Sequence, residues 1–120
     1  MNTMENKPTV IARIYFEYGA SVKDQSFWKR LWNNSLSELL LKKAKESKIE
    51  QANIFIAKSG YLNYKTITYN ISEIPALENP ACLELIDNKS KIDQFLKLNK
   101  DHLKQTKILL IQPSSEILLT

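Results

Sequence analysis

The apolar residues of this chain switch from period two to the helical period and back, and they do so twice, which restricts the fold more than any single residue does. In "VIARIYFEY", Val10, Ala12, Ile14 and Phe16 alternate with Ile11, Arg13, Tyr15 and Glu17, the pattern of a strand covered on one side. "NSLSELLLKKAKESK" then carries a helical stripe of Leu36, Leu39, Leu40 and Ala44, with Ser35 and Glu38 spaced as a capping box. "IEQANIFIA" returns to period two, with Ala52, Ile54 and Ile56 on one face and Asn53 and Phe55 on the other. The cycle repeats: "ACLELID" reads as a buried strand, "NKSKIDQFLKLNK" as a helix capped by Asn88 with Ile92, Phe95, Leu96 and Asn99 on one side, and "KILLIQ" as a strand ended by Pro113.

Strand, helix, strand, long loop, strand, helix, strand is the order of an α+β, ferredoxin-like βαββαβ sandwich: one four-stranded antiparallel sheet with two helices on one face. The other face carries Ile11, Tyr15 and Phe55, or their alternates, so oligomerisation or a partner is expected to cover it. Residues 10–120 are expected to form this single domain, and the polar start 1–9 a frayed tail. Between the second and third core strands, "TITYNI" alternates, but "SEIPALENP" behind it holds two prolines that a central strand does not accept; residues 66–72 are expected to form the arm of an extended loop. "FWKRLW", residues 27–32, predicts a short helix, either a flap over the core or an amphipathic hook, and "SSEILLT" a further edge strand or a packing segment.

Composition narrows the function classes. A formal net charge of +4 permits an anionic partner, although the lysines are spread as on a solvated surface. No stretch approaches the roughly 20 apolar residues of a membrane span, and there is no signal-peptide core, so a cytoplasmic protein that does not span a membrane is expected. The lone Cys82 suits a reducing compartment and reads as a small buried residue. His102 stands alone near a helix end, and no metal spacing, phosphate-binding glycine loop or nucleophile motif occurs. Catalytic residues, metal ligands and cofactors are therefore all expected to be none, although Glu84 and Asp87 could face each other as paired carboxylates.

From about Val10 to Gln112 the chain resembles the PII-like proteins, relatives of the nitrogen-regulatory PII signalling proteins. The resemblance rests on "ARIYF", "SLSELLLKKAKESKIEQANIF", "ISEIP", "LELIDNKSKIDQFL" and "KILLIQ" in this order. It implies a non-enzymatic regulatory homotrimer with the sheets facing inward, and an extended T-loop-like arm after the second strand. It also implies clefts between subunits at the base of that loop for a small anionic metabolite such as an adenine nucleotide, with a protein or membrane-transporter partner controlled through residues 57–80. A branch of that family runs from its second strand into Arg-Gly and then Glu-Gly-Phe-Gly. Gly60 and Tyr61 match the Gly-Phe step, whereas Ile56, Ala57, Ser59 and Leu62 depart from the arginine, the first glycine, the glutamate and the last glycine.

The segment "AKSGYLNYK", residues 57–65, thus has two readings. As a ligand loop, Lys58 and Lys65 would neutralise an anion, Gly60 would supply a permissive turn, and Tyr61 and Tyr64 would stack on or border the ligand, with Ser59 among the binding residues. As a plain hairpin it would carry two solvated lysines. Arg13 either pairs with a carboxylate across a subunit boundary or stands solvated at an edge. Two other functions remain: RNA binding on the open sheet, although the strand "ACLELID" lacks the basic-Gly-aromatic pattern of the RNA-recognition module, and a structural trimer that has lost its ligand.

Overall fold

A computed structural model describes residues 8–20, 35–69 and 76–113. The sheet consists of β1 (Thr9–Glu17), β2 (Gln51–Ile56), β5 (Pro80–Asn88) and β6 (Lys107–Ile111), in the order β2-β5-β1-β6 with every neighbouring pair antiparallel. Helices α1 (Leu36–Glu46) and α2 (Lys89–Leu98) lie on one face. This is the ferredoxin-like α+β arrangement that the alternating periods predict. The FWKRLW segment and the SSEILLT tail fall outside the described residues.

The period of two decides which side of each strand meets the helices. Val10, Ala12, Ile14 and Phe16 of β1 and Ala81, Leu83 and Leu85 of β5 point into the core against Leu36, Leu40 and Ala44 of α1 and Ile92 and Phe95 of α2. Fully burying side chains such as Ile14, Leu40 or Leu83 stabilises the fold by about 1.5–3 kcal/mol each. β2 is less covered: Ala52 and Ile54 pack on the core, but Ile56 at its end is 39% exposed.

Both helices start where the sequence places a cap. The Ser35 hydroxyl accepts from the Glu38 N–H at 3.2 Å, and Asn88 Oδ1 accepts from the Lys91 N–H at 3.0 Å. α1 ends in a Schellman turn, with Lys48 N–H donating to Lys45 O and Ile49 N–H to Ala44 O, and Lys48 holds the left-handed position at φ 59°. Asp87 ties this turn to the start of α2. It is 7% exposed and accepts from the backbone N–H of Glu50 (2.8 Å) and of Asn88 (2.6 Å) and from Lys91 Nζ (2.9 Å), while the same ammonium reaches the Lys48 carbonyl. Burial works against its charge, but the bonds from Lys91 and the two backbone N–H groups outweigh it and hold the carboxyl below the usual range.

Two sequence expectations change here, for the same reason. Strand alternation sends Asp87 to the helix side and Glu84 to the open side, so the two carboxylates do not face each other. Cys82 shares the open side with Glu84 and is half-buried there rather than a core residue; burial pushes its thiol up. Among the described residues no helix is long and apolar enough to cross a membrane.

Candidate functional site

The arm after β2 begins with a short ladder. β3 (Ser59–Gly60) pairs antiparallel with β4 (Thr68–Tyr69), so within the stretch expected as the arm of an extended loop, residues 66–72, Thr68 and Tyr69 belong to a hairpin; residues 70–75 lie outside the described part. Gly60 is not the turn residue, because its φ is not positive. A Cβ there would lie 3.3 Å from Pro80 Cγ, so a close approach, not a turn, favours glycine. The turn is made by Asn63 (φ 54°) and Tyr64 (φ 62°), closed by Lys65 N–H donating to Leu62 O at 3.0 Å. A bulky residue such as Tyr64 rarely adopts that conformation, and its side chain is fully exposed.

Buried Asn79 closes the base of the arm. Its Nδ2 donates to Ala57 O at 3.0 Å and its Oδ1 faces the Thr68 hydroxyl, which also lies 3.0 Å from Gly60 O. Its backbone carbonyl accepts from Tyr18 N–H at 2.8 Å, and Gly19 N–H donates to Leu77 O at 2.7 Å. Gly19 is glycine for a steric reason, since a Cβ would meet Leu77 Cβ at 2.8 Å and Leu77 O at 3.1 Å. One asparagine thus joins both ends of the arm to the exit of β1, with its own polar atoms satisfied inside the protein.

Beside this base lies a cleft of about 510 Å³. Its walls are the end of β1 (Tyr15, Phe16 and Glu17), Ala20 and Leu36, the arm turn at Leu62, Asn63 and Lys65, Asp101, His102, Lys104, Gln105 and Thr106 of the α2–β6 connection, and Lys107 at the start of β6. Lys65, Lys104, Lys107 and His102 are its basic residues, and Glu17 and Asp101 its carboxylates. Lys65 Nζ donates to Glu17 Oε2 at 2.6 Å, and this bond raises the lysine's pKa. Lys104 stands 3.6 Å from Asp101.

Of the seven residues expected to bind a ligand, Lys65 lines the cleft. Lys58, Ser59, Gly60, Tyr61 and Tyr64 belong to the arm but are not part of its wall, and Arg13 lies on the open sheet face. Arg13 is not at an edge, because β1 is a central strand, and its Nε donates to Glu84 Oε2 of the same chain at 3.1 Å. Glu84 first, then Tyr15, favours the charged guanidinium. The residues that sequence reasoning missed are Lys104 and Lys107. "HLKQTK" carries a signal in its lysine spacing between helix and strand, but only the fold brings that segment opposite the arm.

Register partners share a face, so the open side also carries Ile11, Tyr15, Phe55, Cys82, Ile86, Leu109 and Ile111, with Gln51, Asn53, Lys107 and the Arg13–Glu84 pair among them. Phe55 is 54% and Leu109 49% exposed. Among the described residues no group of three or more His, Cys, Asp or Glu side chains comes together as a metal site.

No family model matches the chain, and no curated protein matches it. Among solved structures it is similar to a protein of Thermus thermophilus described as a PII-like signalling protein, with a TM-score of 0.52, 13% identity, and 87% of this chain and 83% of the other covered. It is also similar to the divalent ion tolerance protein CutA1 from Ehrlichia chaffeensis, with a TM-score of 0.50, 13% identity, and 92% and 86% covered. At the level of the fold, the resemblance to PII-like proteins expected from the sequence is met.

Proposed function

We propose that this protein is a small, non-enzymatic PII-like regulator: a homotrimer that takes a small anion such as an adenine nucleotide at the base of the arm and acts on a partner through residues 57–80. The observation that carries this reading is the cleft itself, lined by Lys65 of the arm, Lys104 of the α2–β6 connection and Lys107 at the start of β6. Three lysines against two carboxylates lining one cleft suit an anion better than a neutral solute, and a ligand held by both the arm and the segment after α2 would report its presence to the arm. The likeness to a PII-like signalling protein supports the regulatory part. The apolar open face, with exposed Phe55 and Leu109, supports assembly through the sheets.

An RNA-binding sheet is less well supported, because the strand ACLELID lacks the basic-Gly-aromatic pattern of the RNA-recognition module and Arg13, central on that face, is held by Glu84. The deciding experiment is calorimetric titration of the purified protein with ATP, paired with native mass spectrometry. Saturable binding to a trimer, weakened about tenfold by Lys104→Ala or by Lys65→Ala, is expected from the loss of one charge-assisted hydrogen bond. A trimer that takes up no anion would leave a purely structural assembly, and a monomer without ligand would sink the proposal.

A further inference from the structure

The turn at the tip of the β3–β4 hairpin carries a residue that the fold does not account for. Tyr64 holds φ 62° next to Asn63 at φ 54°, and glycine in its place would make the same turn without strain. Its ring stands wholly in water, so no packing offsets that strain. The surface around it is of the same kind. Thr68 faces buried Asn79, which turns Tyr69 to the outer side of the hairpin, and Tyr61, Ile67 and Tyr69 are each about half exposed or more. Tyr61, Tyr64, Ile67 and Tyr69 do not line the cleft. Residues 57–69 contain Lys58 and Lys65 and no Asp or Glu. Lys65 is bonded to Glu17 and lies in the field of Glu78, whereas Lys58 forms no ion pair among the described residues.

We propose that this hairpin is a contact site for an anionic lipid surface, with Tyr64 as the anchor at the tip, Tyr61 and Tyr69 beside it, and Lys58 reaching lipid phosphate. This names a partner class for the arm and rests on the reading of the arm as the part that meets a partner; it does not require an anion in the cleft. A tyrosine has an apolar ring and a polar hydroxyl, and it settles where hydrocarbon gives way to headgroups. Lysine adds attraction to anionic headgroups, which no carboxylate within residues 57–69 opposes. A fully exposed ring at a hairpin tip suits a broad fluid surface, which needs no pocket shaped to receive it. The formal charge of +4 draws the whole chain toward the same surface.

The test is cosedimentation of the full chain with vesicles of phosphatidylcholine alone and of phosphatidylcholine mixed equally with phosphatidylglycerol, for the wild type, Tyr64→Gly and Lys58→Ala. The wild type is expected to pellet with the anionic vesicles only, and less so as salt is added. Lys58→Ala is expected to weaken that binding roughly fivefold, the contribution of one lysine near an anionic surface. Tyr64→Gly is expected to melt at or above the wild-type temperature, because glycine accepts the left-handed turn, and yet to lose most of its vesicle binding. Wild-type protein that pellets with neither vesicle would overturn the proposal in favour of a protein partner, and binding undiminished in Tyr64→Gly would overturn it as well. Titration with ATP reads the cleft separately, so a failed lipid site and a failed anion site are told apart. Should Tyr64→Gly not fold, Lys58→Ala, which leaves the turn untouched, decides.

Discussion

Asn79 Nδ2 donates to the Ala57 carbonyl at 3.0 Å, so the last residue before β5 holds the first residue after β2, and the arm between them leaves and rejoins the sheet at one point. The side chain is fully buried, and its Oδ1 is engaged by Thr68. Replacing it by alanine leaves the Ala57 carbonyl without that donor. Asn79→Ala is expected to destabilise the protein by about 1–3 kcal/mol, read from urea unfolding, and to raise exchange at Thr68 and Tyr69 more than in β1. Equal protection throughout the arm in the variant would show that the β3–β4 ladder closes the base by itself.

Gly19→Ala tests the other side of the same junction. The added methyl would stand 2.8 Å from Leu77 Cβ and 3.1 Å from Leu77 O, so the backbone at Leu77 has to move. Destabilisation by about 1–3 kcal/mol is expected, with the Gly19 N–H bond to Leu77 O lost. A wild-type melting temperature would show that the approach is loose.

Asp87 predicts an acid-sensitive joint. Its folded pKa is depressed below the unfolded value, so the stability it contributes is fully present above the unfolded carboxylate range, near pH 4, and is lost as pH falls through the depressed folded value. Asp87→Asn is expected to lower stability by about 1–3 kcal/mol at pH 7 and to flatten the loss of stability below pH 4. Urea unfolding at pH 7 and at pH 3 measures both, and an acid limb as steep as the wild type's would assign that slope to other carboxylates.

The open sheet face gives an assembly prediction. Phe55 on β2 and Leu109 on β6 lie on the two outer strands of the sheet, both about half exposed. A Phe55→Glu, Leu109→Glu variant is expected to remain folded by circular dichroism, because neither side chain belongs to the core, and to run as a monomer in native mass spectrometry. An oligomer that survives both substitutions would place the interface elsewhere.

The four core strands, the two helices and both N-caps were legible in the sequence because each is decided locally, by the period of apolar residues or by a hydroxyl or amide three residues from an N–H. What could not be read there depends on contacts between distant segments. Gly60 looks like a turn glycine until Pro80 lies against it. Asn79, in a proline-flanked loop, carries no sign that it will be buried, since its partners lie 22 and 11 positions away. Arg13 and Glu84 are opposite each other only once β1 and β5 have their register. The cleft is the extreme case: Lys65 is visible in the sequence as part of the arm, whereas Lys104 belongs to a stretch read as a helix end and Lys107 to the strand KILLIQ, and nothing local places either beside the arm.

The Arg13–Glu84 pair also determines what the sheet is willing to meet. The Glu84 side chain is 14% exposed and that of Arg13 40%, on a face that sets Ile11, Tyr15, Phe55, Ile86 and Leu109 beside the polar Gln51, Asn53 and Lys107. Any molecule laid over that surface removes water from a charged pair as well as from hydrocarbon, and a featureless greasy surface returns nothing for the lost hydration. A surface that offers acceptors to the remaining guanidinium N–H groups does. The pair therefore acts as a filter on company rather than as an adhesive, penalising indiscriminate sticking and favouring a mate whose polar groups fall in register with it.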